Sequence, residues 1–361
     1  MRVTPFRPRP SAARVFATTA AVLLVAGCTT ETPRLQLDPN LVSYSRKDFE
    51  RGPIRLPANY SAQNFRKLQL GVSFEAVEGI DRKTGKPLAV DPSLAARLQT
   101  EMAKLKRFTV FSAHNRGGVA FFEALQDVEG GEVRMREPVD ARTIDLVLSG
   151  RLTVTKERQD LYNETLLIYE VECDFSCEDL RTRTVRFAEK ARGRTARRQI
   201  LSYSGRALAG MDTSDERQAI TQAALKALAV VANKLGNTFP VGGRIVSAST
   251  TGNKMTLSAG FEEGVGQAQQ CVVYADDGGV DVPLAMAEAV PKADGTSLLE
   301  VYRWNDDDRD AEPLVEAYRA DPRGFLASNR VLAVGYGLSV PPEWESEYDD
   351  GADESARIGR R

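Results

Sequence analysis

Leu68-Gln69-Leu70-Gly71-Val72-Ser73-Phe74-Glu75-Ala76 places an apolar residue at every second position, Leu68, Leu70, Val72, Phe74 and Ala76. That period of two predicts a strand with one buried face. Downstream, Asp91-Pro92 predicts an N-cap with proline at the first helical position, and Leu94, Leu98, Met102 and Leu105 follow at helical spacing. Arg107-Phe108-Thr109-Val110-Phe111 reads as a second strand, and a short amphipathic piece around Phe121, Phe122 and Leu125 as a second helix. Ile144 to Val154 is a long third strand. Runs 164–173 and 182–191 then flank a turn at Ser176–Asp179 as a hairpin, with a further strand or extension near 198–208. A closing helix is marked by a Thr213/Glu216 capping box, by the stripe Ile220, Ala224, Leu228, Val231 and Leu235, and by Gly236 as its stop. The order β-α-β-(α)-β-β-β-α over 67–238 predicts a mixed sheet with helices packed on it.

After Pro240 the character changes. Gly242–Ser247, Lys254–Leu257 and Cys271–Tyr274 are short apolar runs punctuated by glycine, and others follow at 284–290, 297–304 and 330–336. These predict a small all-β, barrel-like domain over 241–340. The fold class expected is thus α+β followed by a β module.

The beginning of the chain is a targeting segment. Arg2, Arg7, Arg9 and Arg14, with no acid before residue 28, precede the apolar run Val15 to Ala26, which is too short to span a bilayer. Leu24-Val25-Ala26-Gly27-Cys28 resembles the lipobox of bacterial lipoproteins. The resemblance implies removal of residues 1–27 and lipid attachment at Cys28. Thr29 stands where an Asp would resemble an inner-membrane retention signal, so the outer membrane, facing the periplasm, is the expected location. Loss of four arginines takes the net charge from −2 to −6. Residues 28–66, with Pro33, Pro39, Pro53 and Pro57, read as a partly extended tether. Residues 341–361, with seven acids and no periodicity, read as a disordered tail.

Behind the lipobox, the order of elements resembles the CsgG-like envelope lipoproteins, which share an anticodon-binding-like domain with the TolB amino-terminal domain and LpoB. Arg107–Phe111 resembles that fold's second strand, Asp145-Leu146-Val147-Leu148-Ser149-Gly150 its third, and the alanine-rich helix 214–235 its last helix. Gly243-Arg244-Ile245, Gly260, Gly264-Val265 and Val272-Val273-Tyr274 are similar to the carboxy-terminal module of FlgT. Two departures stand out: Ala268-Gln269 replaces the usual Gly-Asp, and Cys177-Glu178-Asp179 replaces a Thr-Gly turn. The curli-channel relatives also insert membrane-spanning hairpins, whereas the hairpin here carries Glu170, Glu172, Asp174, Arg181, Arg183, Arg186, Glu189 and Lys190.

No catalytic set emerges. With one histidine, His114, any Ser-His-Asp or Cys-His scheme would need that residue, and no G-x-S-x-G is present. Lys83-Thr84-Gly85 lacks the S-x-x-K and S-D-N partners of penicillin-recognising enzymes. Asp306, Asp308 and Asp310 begin like a calcium loop, but Ala311 and Ala317 stand where Gly and Glu are needed. No metal site or cofactor is expected, and the absence of a basic surplus argues against nucleic acid. Three cysteines remain after Cys28. Cys173 and Cys177 are a candidate disulfide, provided that Asp174-Phe175-Ser176 turns, because a continuous strand would separate them by ~13 Å. Cys271 is left as a buried thiol.

The expected function is therefore that of a non-enzymatic outer-membrane lipoprotein, anchored through Cys28, that binds an envelope partner in the periplasm. The alternatives are a ring or channel subunit in curli-like secretion or flagellar assembly, which would be a homo-oligomer, and an envelope hydrolase with an unrecognised carboxylate pair.

Overall fold

The computed structural model describes residues 43–60, 65–112, 144–160, 164–200 and 213–345. Strand β1 (Leu68–Asp81) leads into α1 (Leu94–Met102) and β2 (Phe108–Ser112). Then come β3 (Leu146–Asp160), β4 (Glu164–Asp179), β5 (Thr184–Ile200) and α2 (Thr213–Thr238). The sheet order is β2-β1-β3-β4-β5, with β1 parallel to β2 and β3 and the later pairs antiparallel. Helices α1 and α2 cover one face. Leu70, Val72, Leu148, Leu152, Val171 and Cys173 are buried there beneath Leu98, Ala224 and Leu228.

A closed antiparallel barrel follows, made of β6 (Gly242–Ala248), β7 (Lys254–Leu257), β8 (Gln269–Asp277), β9 (Val280–Pro291), β10 (Ser297–Trp304) and β11 (Val331–Gly335). Its strand order is β10-β7-β6-β11-β8-β9. Ala285, Ala287 and Ala289 of β9 are small enough for a narrow interior filled by Ile245, Leu257, Val273 and Leu299. Inside this module stand two helices that sequence periodicity missed, α3 (Glu312–Ala320) and α4 (Pro322–Ser328). Each opens with proline in its first turn, and Val315, Tyr318 and Phe325 complete the barrel's core.

Several local expectations are corrected. Ser93 rather than Asp91 holds the N-cap position of α1, without a side-chain capping bond, and the Asp91 carboxylate accepts from the Ser93 N–H and hydroxyl in the turn ahead. Strand β4 runs straight through Ser176–Asp179. The hairpin turn lies beyond it, where Asp179 Oδ1 accepts from the N–H groups of Arg181 and Thr182 and Arg183 adopts φ 51°. Gly236 does not stop α2. It lets the chain ending pack closely, since a Cβ there would lie 2.3 Å from the Gly337 carbonyl carbon. Glu216 accepts from Lys156 Nζ at 2.8 Å, and the Thr213 side chain of the expected capping box lies outside the described residues. The second helix expected near residue 121 and the extension 201–208 lie outside the described residues.

The described parts of the segments at either end depart from a tether and a tail, while 28–42, 61–64 and 346–361 lie outside the described residues. Residues 43–60 form a strap on the barrel's outer face, where Phe49 and Ile54 are buried against Val272, Tyr274, Met286 and Val334. Arg303 donates to the Phe49 and Gly52 carbonyls, Tyr336 to the Arg55 carbonyl, and Tyr60 to Asp281 at 2.6 Å. At the far end, α5 (Pro342–Glu345) returns to the first domain. Trp344 is wholly buried there and its indole N–H donates to Glu101 at 2.9 Å.

Candidate binding surface

The sheet has one covered and one open face because of how its residues alternate. On the covered side, Gly193 lets α2 settle onto β5, since a Cβ there would stand 1.9 Å from the Ala223 carbonyl oxygen. On the other side the described residues place no helix. Ser73, Ser149, Ser176 and Ala188 sit in register across β1, β3, β4 and β5, and the Ser149 and Ser176 hydroxyls are 2.9 Å apart. The adjoining row is Glu75, Arg151, Asp174 and Lys190, alternating in sign from strand to strand. Small side chains beside long ones leave a shallow trough of about 480 Å³.

Ion pairs organise this face. Lys190 reaches Glu172 at 2.7 Å and Asp174 at 2.9 Å, and Arg192 reaches Glu172 at 2.7 Å. The hydrogen bond from Lys190 is the chief reason that the Glu172 carboxyl is held below its usual range. Arg151 pairs with Glu78 and Arg82 with Glu170. Opposite-sign neighbours across strands are favourable, each by a fraction of a kcal/mol.

A second depression of about 530 Å³ lies between the two domains, lined by Lys104, Lys106, Phe261, Val265, Val340 and Pro342. Its lysines are engaged, Lys104 with Glu101 and Glu343 and Lys106 with Glu262. Beside it Arg107 is buried and fastens the junction. Its guanidinium donates to the carbonyls of Arg66 at 2.6 Å, Phe239 at 3.1 Å and Pro240 at 3.3 Å. Burial, helped by the nearby Arg66, lowers its pKa to about 10. Asn237 adds a bond to the Tyr44 hydroxyl and accepts from the Gly337 N–H.

The residues singled out for chemistry take structural places. Cys173 and Cys177 are not bonded. With β4 continuous between them they stand four residues apart on one buried face, beyond disulfide reach. Burial pushes both thiols, and that of Cys271, up to about 12. Asp306 pairs with Arg319, and Asp308 accepts from the N–H groups of Asp310 and Ala311, so the acidic loop closes on itself. Lys83 and Thr84 donate their N–H groups to Asp81 in the turn after β1. Among the described residues no group of three or more His, Cys, Asp or Glu side chains could hold a metal. No helix there is long and apolar enough to cross a membrane. Cys28 and His114 lie outside the described residues.

No protein-family model and no curated protein matches the chain. Among solved structures, lipoprotein GNA1162 from Neisseria meningitidis is 16% identical over 36% of this chain and 83% of its own, with a TM-score of 0.20. Protein XCC0632 from Xanthomonas campestris is 10% identical over 51% of this chain and 92% of its own, at 0.26. TolB from Acinetobacter baumannii is 11% identical over 66% of this chain and 50% of its own, at 0.17. Scores this low establish neither a shared fold nor a shared role.

Proposed function

We propose that the protein is a non-enzymatic lipoprotein of the bacterial cell envelope that binds a protein partner in the periplasm, held to the outer membrane by acyl chains on Cys28. The observation that carries the binding reading is the open face of the five-stranded sheet, whose charged rows are organised by cross-strand ion pairs. The lipobox-like Leu24–Cys28 and the resemblance to CsgG-like lipoproteins support the location. Multiple acyl chains give stable anchoring where one does not. A curli-like channel is less well supported, because the apolar face of the β4–β5 hairpin is already covered by α2, leaving that hairpin no side for lipid.

Metabolic labelling with a palmitate analogue, followed by membrane fractionation, tests the anchor. Wild-type chain should carry label and sediment with outer membranes, and Cys28→Ala should do neither. Equal behaviour of the two would overturn the reading. Light scattering tests the rest: a monomer fits a binding module, and a ring-sized species would replace it with an assembly subunit.

A further inference from the structure

Strand β5 is the last in the sheet, paired with β4 at sixteen positions and with nothing on its other side among the described residues. Half of its backbone N–H and C=O groups therefore point away from the sheet, a template for another strand. The side chains along this edge are cationic. Arg186, Lys190, Arg192 and Arg194 are all exposed, with Arg181 and Arg183 in the turn before them, against the single acid Glu189. Arg194 stands opposite Glu170, which pairs with Arg82, and among the described residues Arg194 makes no ion pair.

We propose that the free edge of β5 takes an extended acidic segment of a partner protein as a sixth strand. The proposal names the partner class for the binding module argued above and rests on that reading. The sign of charge decides between occupants. A second copy would set Lys190, Arg192 and Arg194 against the same residues, and like charges directly opposite are destabilising. A broad polyanion such as a bilayer surface would also meet Glu172 and Asp174, one strand inward. A single strand meets only the edge. Because side chains alternate, acids at every second position would face Lys190, Arg192 and Arg194 on the open side. The positions between would face the flank of α2, where Lys226 lies close to Gly193 and Lys234 pairs with Glu189, so they should be small. The partner segment thus reads acid-x-acid-x-acid with small residues at x.

The test uses the full chain extracted in detergent and a fluorescent twelve-residue peptide of alternating Glu and Ser, with a Lys-Ser peptide as control. Anisotropy should show saturable binding of the Glu-Ser peptide only, and hydrogen exchange should show new protection confined to β5. Arg194→Glu should weaken binding about tenfold, Arg194→Lys should restore most of it, and thermal midpoints should not move. No binding, equal binding by Arg194→Glu, or protection away from β5 would overturn the proposal. So would equal protection of β5 by phosphatidylglycerol vesicles. Failure of palmitate labelling would leave these results unchanged, so the two readings fail separately.

Discussion

Replacing Arg107 by methionine tests whether the two domains are held together by backbone carbonyls gathered on one buried cation. The substitution keeps the apolar stem and deletes the guanidinium, which leaves the carbonyls of Arg66, Phe239 and Pro240 without this donor. At about 2 kcal/mol for each buried acceptor left unmade, the loss is about 6 kcal/mol. Against this, holding the cation dry has a cost: its pKa of about 10 in place of 12.5 corresponds to about 3 kcal/mol. The net expectation is a destabilisation of about 3 kcal/mol. The folded-state pKa lies below the unfolded one, so the penalty is fully present at neutral pH and is relieved only as pH rises above about 10. The difference between wild type and variant should therefore be flat between about pH 6 and pH 9. Urea unfolding reads it out by fluorescence of the protein's two tryptophans, Trp304 in the barrel and Trp344 in the sheet domain, each isolated by a Trp→Phe change at the other. A variant as stable as wild type would refute the reasoning, because it would mean that relief of desolvation matches the lost bonds.

Gly236→Ala should cost about 2–3 kcal/mol, since its methyl would stand 2.3 Å from the Gly337 backbone and neither chain can yield cheaply; a thermal midpoint equal to wild type would contradict that. Trp344→Ala should cost about 3–5 kcal/mol through the lost indole packing and its bond to Glu101, and deletion from residue 341 onward should do at least as much, both measured by denaturant midpoints. Cys173, Cys177 and Cys271 should resist a thiol reagent at pH 8 in the native protein and react fully in urea, as buried thiols with raised pKa values must; rapid native labelling would show that these strands open.

Where a residue's fate is set by its neighbours in the chain, the sequence was enough. The strict alternation at Leu68–Phe74 and the stripe along α2 decided the layered domain, and glycine-punctuated runs decided the barrel. The errors arose where distant partners decide. Residues 43–60 look like a spacer because they have no period. They are ordered by what they cover, the outer face of β8 and β11, and the sign of that cover was the unbroken apolar run Val272-Val273-Tyr274, which needs burial on both sides. Trp344 in an acidic stretch was the corresponding sign at the other end. Arg107, heading an apolar strand, carried no local mark of its role, because the three carbonyls that it joins lie up to 133 residues away. The charge ladder of the open sheet face depends on register, and register follows from the turn, which lies after Asp179 rather than at Ser176–Asp179.

The strap also changes what the proposed anchorage can do. A free tether over 28–66 would let the body range ~130 Å from the membrane. With the chain fastened to the barrel from Ser43 onward, only the 15 positions from Cys28 remain to span the gap, at most ~50 Å. The same strap reaches the other domain, because Tyr44 takes the bond from Asn237 of α2 while its ring packs on Phe49 and Tyr336. Strap, Arg107 and the return of α5 thus join the two domains by three separate routes. If Cys28 is the anchor as proposed, a body so joined would present its open sheet at a bounded height above the bilayer. On the proposed reading, the partners that it selects are those within that reach, and lengthening residues 29–42 should extend the range of in-cell cross-links without altering the stability of the folded body.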